Sequence, residues 1–398
     1  MAERLGVIYS IGSKFAGGGI GTTAYHAVRG LHRHKMLKRL LCGHYRPTEI
    51  PREKIRSLGL PDRALRKLAS LEPSGWLWYL QAALFDAWAS RLLEPADIFH
   101  VWGNYGLRSL QQAKAIGMIT IVERASTHPM YQAQLLQKEF GNWGLSFRLP
   151  HDTLKVSLAE MTLADYVLIP SDFVRRTFVE HGFPQEKLLL IPFGVDAARF
   201  RPWEKETSHP FRVLFVGQVG IHKGVPYLLE AWRRLGWQDA ELWLVGRVLP
   251  ECRPILPRYK DLPGLHLMGH LDDPVEAYWQ ASVFAFPTIE EGSALVTYEA
   301  LACGLPVVTT PNAGSVVQDE VEGLIIPIRD TEALANALDR LRANEWMRRE
   351  MGRAARMRAE EFTWERYGDT LANTFKNLMS SEESRGETDI LGCTSYAL

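Results

Sequence analysis

Cysteine is scarce in this chain: four in 398 residues, at Cys42, Cys252, Cys303 and Cys393. No two of them share a ligand-pair spacing. That excludes a disulfide scaffold, a zinc ribbon and a Cys-x-x-Cys redox centre, and it fits a reducing compartment. Net charge is absent as well. Lys plus Arg and Asp plus Glu each number 46, so no global field recruits nucleic acid. No apolar run approaches the ~20 residues that cross a bilayer, and no secretory leader is recognisable. The expected setting is the cytoplasm. What remains, 46% hydrophobic and 23% charged residues, is ordinary for a globular protein, and the length predicts two domains.

Short apolar runs alternate with helix-like stretches in both halves, which predicts α/β architecture: two doubly wound domains facing a cleft. In the first half a strand over residues 5–9 leads to Gly17-Gly18-Gly19-Ile20-Gly21 and a helix from about Thr22 to His34. Glycines there let an anion approach the helix start closely. Gly19-x-Gly21-x-x-Ala24 also matches a dinucleotide fingerprint, but no acid precedes Glu49 to hold an NAD ribose, and an oxidoreductase would rest on those residues alone. Strands over 97–102 and 118–122 open into loops at 103–106 and 123–129. Ligands of such sheets bind beyond the carboxyl ends of strands, so His128 is the candidate site histidine and His100 the reserve.

Residues 29–67 carry twelve Lys or Arg against Glu49, Glu53 and Asp62. His32-x-His34 in this stretch reads as a solvated basic face before it reads as a metal pair. Trp76, Trp78, Tyr79, Leu80, Leu84, Phe85 and Trp88 then form a helix too short to span a bilayer. Aromatics beside basic residues suit a membrane surface or a lipid-linked acceptor, and core packing is the equal alternative.

Residues 203–210 are polar and proline-flanked, as a linker would be. Strand 212–216 follows, then Gly217-Gln218-Val-Gly-Ile-His222-Lys223-Gly224. A lysine in a glycine turn at a strand's carboxyl end is placed to neutralise a diphosphate. The densest signal lies at 283–310: a strand over 283–286, Glu290-Glu291-Gly292, a helix capped by Ser293 that runs through Glu299 to about Cys303, and a strand over 307–309. The amides of Ser293, Ala294 and Leu295 at that helix start favour a diphosphate. Glu299, roughly 9 Å along the axis at 1.5 Å per residue, can accept from vicinal ribose hydroxyls. Glu291 reaches the opposite side of the phosphates. A nucleotide-sugar would span the turn.

Glu291-x7-Glu299, followed by Ala-Leu-Ala-Cys-Gly-Leu-Pro-Val-Val, resembles the signature of retaining family 4 glycosyltransferases of the GT-B fold. The resemblance implies two Rossmann-like domains and places Glu291 on the donor sugar and Glu299 on the ribose. It implies that Gly18 and Gly19 lie against the diphosphate from across the cleft, with Gln218, Lys223, Gly292, Ser293, Ala294 and Leu295 around the nucleotide-sugar. It also implies a histidine near the reacting sugar, for which His128 stands, so His128, Glu291 and Lys223 are the catalytic candidates. Three departures matter. Gly292-Ser293-Ala294 replaces the usual Gly-Phe-Gly, Phe193 stands for an Asn, and Gln218 stands for an Arg, leaving Lys223 as the main cation with His222 as a compensating group. No Asp-x-Asp triplet occurs, so neither metal nor other cofactor is expected.

The expected organisation is an acceptor-side domain at 1–205, a nucleotide-sugar domain at 206–365, a helix crossing back at 366–379 and a disordered tail at 380–398. The expected reaction moves a hexose from a UDP- or GDP-sugar to a sugar or lipid-linked acceptor in polysaccharide or glycoconjugate synthesis, at the inner membrane face where residues 29–92 make contact. A sugar-nucleotide epimerase, a phosphorylase or a non-catalytic sugar-nucleotide binder would share the layout.

Overall fold

The computed structural model describes residues 5–69, 75–147, 152–203 and 210–393, with side chains to Ser381. Most of the expected linker, residues 204–209, lies outside the described residues, as do residues 394–398.

The first half forms a seven-stranded sheet of β1 (Val7–Phe15), β2 (Leu37–Tyr45), β3 (Ile55–Ser57), β4 (Ile98–Trp102), β5 (Ile119–Glu123), β6 (Tyr166–Ile169) and β7 (Leu188–Leu190), in the order 3-2-1-4-5-6-7. The second half forms a six-stranded sheet of β8 (Phe211–Val216), β9 (Ala240–Val245), β10 (Leu265–Gly269), β11 (Val283–Phe286), β12 (Val307–Thr309) and β13 (Gly323–Ile325), in the order 10-9-8-11-12-13. Every strand pair is parallel. Helices cover both faces, so central strands such as β4 and β11 are buried along their whole length. That is why they read as unbroken apolar runs. Strand order reverses between β1 and β4 and again between β8 and β11. Both crevices open beyond the carboxyl ends of the strands, where such sheets take ligands.

The two halves are tied by buried polar groups. Glu139 of the first half, fully buried, accepts from Tyr227 Oη at 2.8 Å and Arg329 Nε at 2.5 Å. The chain then returns: Val195 N–H donates to Phe362 O at 2.9 Å, and the helix Trp364–Cys393 lies on the helix Ile20–Arg33. Their backbones meet at glycine. A Cβ on Gly30 would lie 2.5 Å from the Cα of Gly368, so neither position tolerates a side chain without moving a helix. Tyr367 Oη donates to buried Glu123 at 3.3 Å, beside Tyr9 Oη at 3.0 Å and His100 Nε2 at 2.9 Å. His100 is thus part of the core that seats the returning helix.

Several expectations change here. The last helix continues to Cys393 instead of ending near residue 378, as no proline interrupts residues 364–393. His34 pairs with Asp369 at 2.6 Å, which uses it for helix docking. Glu49 is held by Arg29 at 3.2 Å and Tyr25 Oη at 2.9 Å. Among the described residues no group of three or more His, Cys, Asp or Glu is placed to hold a metal, and no helix is long and apolar enough to cross a membrane.

Candidate functional site

The loops leaving β8 and β11 are locked together. Gly224 adopts φ +70°, and a Cβ there would run into the Pro287 carbonyl, so only glycine allows this approach. The His222 carbonyl then accepts from Ile289 N at 2.9 Å, Thr288 Oγ1 at 3.0 Å and Glu290 N at 3.3 Å. Lys223 is therefore presented to the loop that carries both acids. Its ammonium forms an ion pair with Glu291, and the two side chains are only 13% and 28% exposed. Burial lowers the Lys223 pKa to about 8, while the Glu290 carboxylate pulls it up.

Adjacent acids take opposite directions. Glu290, 4% exposed, reaches into the first half, where its carboxylate accepts from Ser126 Oγ and Thr127 Oγ1 at 2.7 Å and from Gln132 Nε2 at 3.1 Å. Behind it sits buried Arg124, donating to Thr127 O at 3.1 Å and Gln132 Oε1 at 3.0 Å. Burial lowers the Arg124 pKa and the charge on Glu290 raises it. Gly292 belongs to the same junction: its carbonyl accepts from Ser171 Oγ at 2.6 Å, and a Cβ on it would collide with the Ala125 carbonyl.

The helix Leu295–Ala302 begins one residue later than expected. Ala294 is its N-cap, without a side-chain cap; Ser293 Oγ instead lies 3.1 Å from Tyr298 Oη. The Ala294 amide already donates to Ala313 O at 3.1 Å, so it is not offered to an anion. Leu295 and Val296 open the helix and line the cavity, which leaves first-turn amides at its wall. Glu299 accepts from Tyr278 Oη at 2.8 Å, and burial raises its pKa to about 7.

These groups meet in one cavity of about 600 Å³ between the halves. Gly19, Gln218, Lys223, Glu291, Ser293, Ala294, Leu295 and Glu299 all line it. Gly19, at φ +60°, caps the helix Ile20–Arg33 and forms the facing wall with Ile20 and Thr23. Gly18 and Gly292 are not on the wall. Neither is His128: it caps the helix Pro129–Asn142, stacks on His181 at 4.5 Å and meets Phe178 edge-on. The residue before a proline is held extended, and the buried ring borders a separate cavity of about 500 Å³. Ala125 is what this loop contributes to the main cavity. His222 does not line it either, and burial depresses its pKa to about 3, so it adds no charge at neutral pH. Arg247, His270, Leu271 and Pro274 do line it, though none belongs to the motifs described above. The available signal was Gly246-Arg247, a second glycine turn at the carboxyl end of a strand.

The family described as Glycosyltransferase Family 4 matches residues 17–199, and Glycosyl transferases group 1 matches residues 210–344. A D-inositol 3-phosphate glycosyltransferase of Saccharomonospora viridis is 40% identical over 213 residues, covering 47% of this chain and 49% of that protein. The capsular polysaccharide biosynthesis glycosyltransferase CapM of Staphylococcus aureus is 25% identical, over 56% of this chain and 64% of that protein. The match thus spans about half the length of the first of these relatives. Among solved structures, WaaG, a glycosyltransferase involved in lipopolysaccharide biosynthesis, superposes with TM-score 0.68 at 18% identity, covering 93% of this chain and 99% of that one. Anabaena Alr3699/HepE in complex with UDP and glucose does so with TM-score 0.67 at 14% identity, covering 94% and 100%. Two parallel sheets facing one cavity, with family matches over both halves, make this chain a member of the family 4 glycosyltransferases of the GT-B fold.

Proposed function

We propose that the chain is a retaining glycosyltransferase that moves a hexose from a UDP- or GDP-sugar to a sugar or lipid-linked acceptor. The observation that carries this is one cavity lined by Lys223, Glu291, the start of the helix Leu295–Ala302 and Glu299. The donor's ribose hydroxyls donate to Glu299, and its pyrophosphate lies at the first turn of the helix Leu295–Ala302 and at Lys223. A pyrophosphate competes for the Lys223 ammonium. That releases Glu291 to accept from the hydroxyls of the sugar, so two donor contacts replace the Lys223–Glu291 ion pair.

In the transfer, the bond between the sugar C1 and the phosphate oxygen breaks and its electron pair stays on the diphosphate. The acceptor oxygen bonds to C1, and its proton leaves to the freed phosphate. Charge grows on the leaving group, where a preorganised cation and helix amides act most strongly. No side chain is assigned as a covalent nucleophile, and no metal or cofactor enters the reading. The solved Anabaena relative with UDP and glucose supports the donor class. A membrane-linked acceptor is supported by exposed apolar groups on neighbouring helices: Leu60 at 77% and Leu68 at 53% exposed, with Leu84 at 46%. Exposed Arg63 and Lys67 flank them.

The test is release of nucleoside diphosphate. A panel of UDP- and GDP-sugars is incubated with the protein, with and without oligosaccharide and lipid-linked acceptors. Expected is UDP or GDP from one donor, accelerated by acceptor. Release from none of them would refute the reading.

A further inference from the structure

The charges on the cavity wall do not suit a pyrophosphate as they stand. Lys223 is paired with Glu291, Glu299 adds a second acid, and Gln218 is neutral. The other cationic side chain on the wall is Arg247, exposed and without a side-chain hydrogen bond or ion pair among the described residues.

Its position follows from the register of the sheet. Strands β8 and β9 pair with a constant offset of 29 residues, from Phe211 opposite Ala240 to Val216 opposite Val245. The offset persists past the strand ends, where Val219 still pairs with Val248. Gln218 therefore stands directly beside Arg247. The ladder between them is closed: Gly217 N donates to Val245 O at 2.9 Å, Val219 N to Arg247 O at 2.9 Å, and Leu249 N to Val219 O at 3.0 Å. Cross-strand neighbours lie about 5 Å apart with side chains on the same face. Val219, one residue on and pointing the other way, is 1% exposed, whereas Gln218 and Arg247 are both exposed on the cavity side.

We propose that Arg247 is a pyrophosphate-binding cation of this site, supplying from the neighbouring strand the charge that Gln218 lacks. This rests on the nucleotide-sugar reading above. The guanidinium offers paired N–H donors that match two phosphate oxygens, and Gln218 adds one neutral donor beside it. As the C1–O bond breaks, Arg247 and Gln218 hold oxygens on which charge accumulates, alongside Lys223.

The test uses the full chain and titrates UDP, GDP, uridine and guanosine against wild type, Arg247→Gln, and Arg247→Gln combined with Gln218→Arg. Because Arg247 is exposed, the variants are expected to fold. Arg247→Gln should weaken UDP or GDP binding about ten- to a hundredfold, as loss of a charge-assisted contact does, and leave nucleoside binding unchanged. Gln218→Arg, which returns the cation one strand over, should restore most of the loss. Wild-type binding of neither diphosphate would sink the nucleotide-sugar reading and this proposal with it. Normal diphosphate binding by Arg247→Gln would overturn this proposal alone. So would equal losses for nucleoside and diphosphate, which would place the guanidinium on the base.

Discussion

Glu299→Gln separates the cost of the site from its use. The carboxylate sits in the cavity with one hydrogen bond, from Tyr278 Oη at 2.8 Å, and burial raises its pKa from 4.5 to about 7. At 1.36 kcal/mol per pH unit, keeping it ionised costs the folded protein about 3 kcal/mol. The sign follows from proton binding. Between pH 4.5 and 7 the folded state holds a proton that the unfolded state has lost, so this group favours folding as pH falls and weighs fully against it above pH 7. Glutamine keeps the acceptor for Tyr278 and removes the charge. The variant should therefore melt several degrees higher than wild type at pH 8, by up to about 3 kcal/mol of stability, and the gap should shrink to under about 1 kcal/mol at pH 5. Binding should move the other way, because ribose hydroxyls donate more strongly to a carboxylate. Affinity for UDP or GDP should drop about tenfold or more in the variant, and in wild type it should weaken as pH falls through 7. Thermal melts at pH 5 and 8, with calorimetric titration of both nucleotides, read all of this. Equal melting shifts at the two pH values, or unchanged nucleotide affinity, would refute the assignment.

Other outcomes follow from the same geometry. Lys223→Ala should cut turnover about a hundredfold or more by removing a preorganised cation, and leave the melt near wild type, since Glu291 is 28% exposed and can turn to water. Turnover within a few-fold of normal would count against the phosphate role. His128→Asn should leave UDP and GDP binding within about twofold, because the ring lies outside the cavity; a large loss would return His128 to the site. Glu290→Ala strips the partners from Ser126, Thr127 and Gln132 and leaves Arg124 buried beside an empty socket, at a cost of about 3 kcal/mol. A melt unchanged by that substitution would show that the two halves do not depend on this contact.

Both sheets were legible because their central strands are short apolar runs bounded by Gly and Pro, as in Val283 to Phe286 followed by Pro287. That Lys223, Glu291 and Glu299 would line one cavity was legible for a local reason. Lys223, Glu291 and Glu299 each sit at fixed spacing from a strand end, and that spacing survives folding. What failed depends on partners distant in sequence. Ser293 looks like a cap, yet Tyr298 claims its hydroxyl and Ala313 claims the Ala294 amide. Gly292 looks like a ligand turn, yet Ala125 of the other half presses on it. Arg247 carries no motif, and only the pairing of β8 with β9 reveals its neighbour. His128 is a case of direction: the loop is the expected one, but the extended residue before Pro129 aims its ring at His181.

The two adjacent acids explain why the site exists only when both halves are in place. Successive side chains along an extended segment point to opposite sides. Here Glu290 is buried among Ser126, Thr127 and Gln132 of the first half, while Glu291 faces Lys223 in the cavity. One peptide bond thus joins the grip between halves to the contact assigned to the donor sugar. A shift of the first half that loosens Glu290 also carries Ser171, which holds the Gly292 carbonyl, so it turns Glu291 relative to Lys223. Under the proposed function, donor binding acts on the same element from within, since a pyrophosphate that takes Lys223 leaves Glu291 free to reorient. The same proposal makes residues such as Gln132, which holds Glu290, positioning residues for the sugar. Their substitution is expected to lower turnover more than nucleotide affinity, whereas a pure cavity residue such as Glu299 does the reverse.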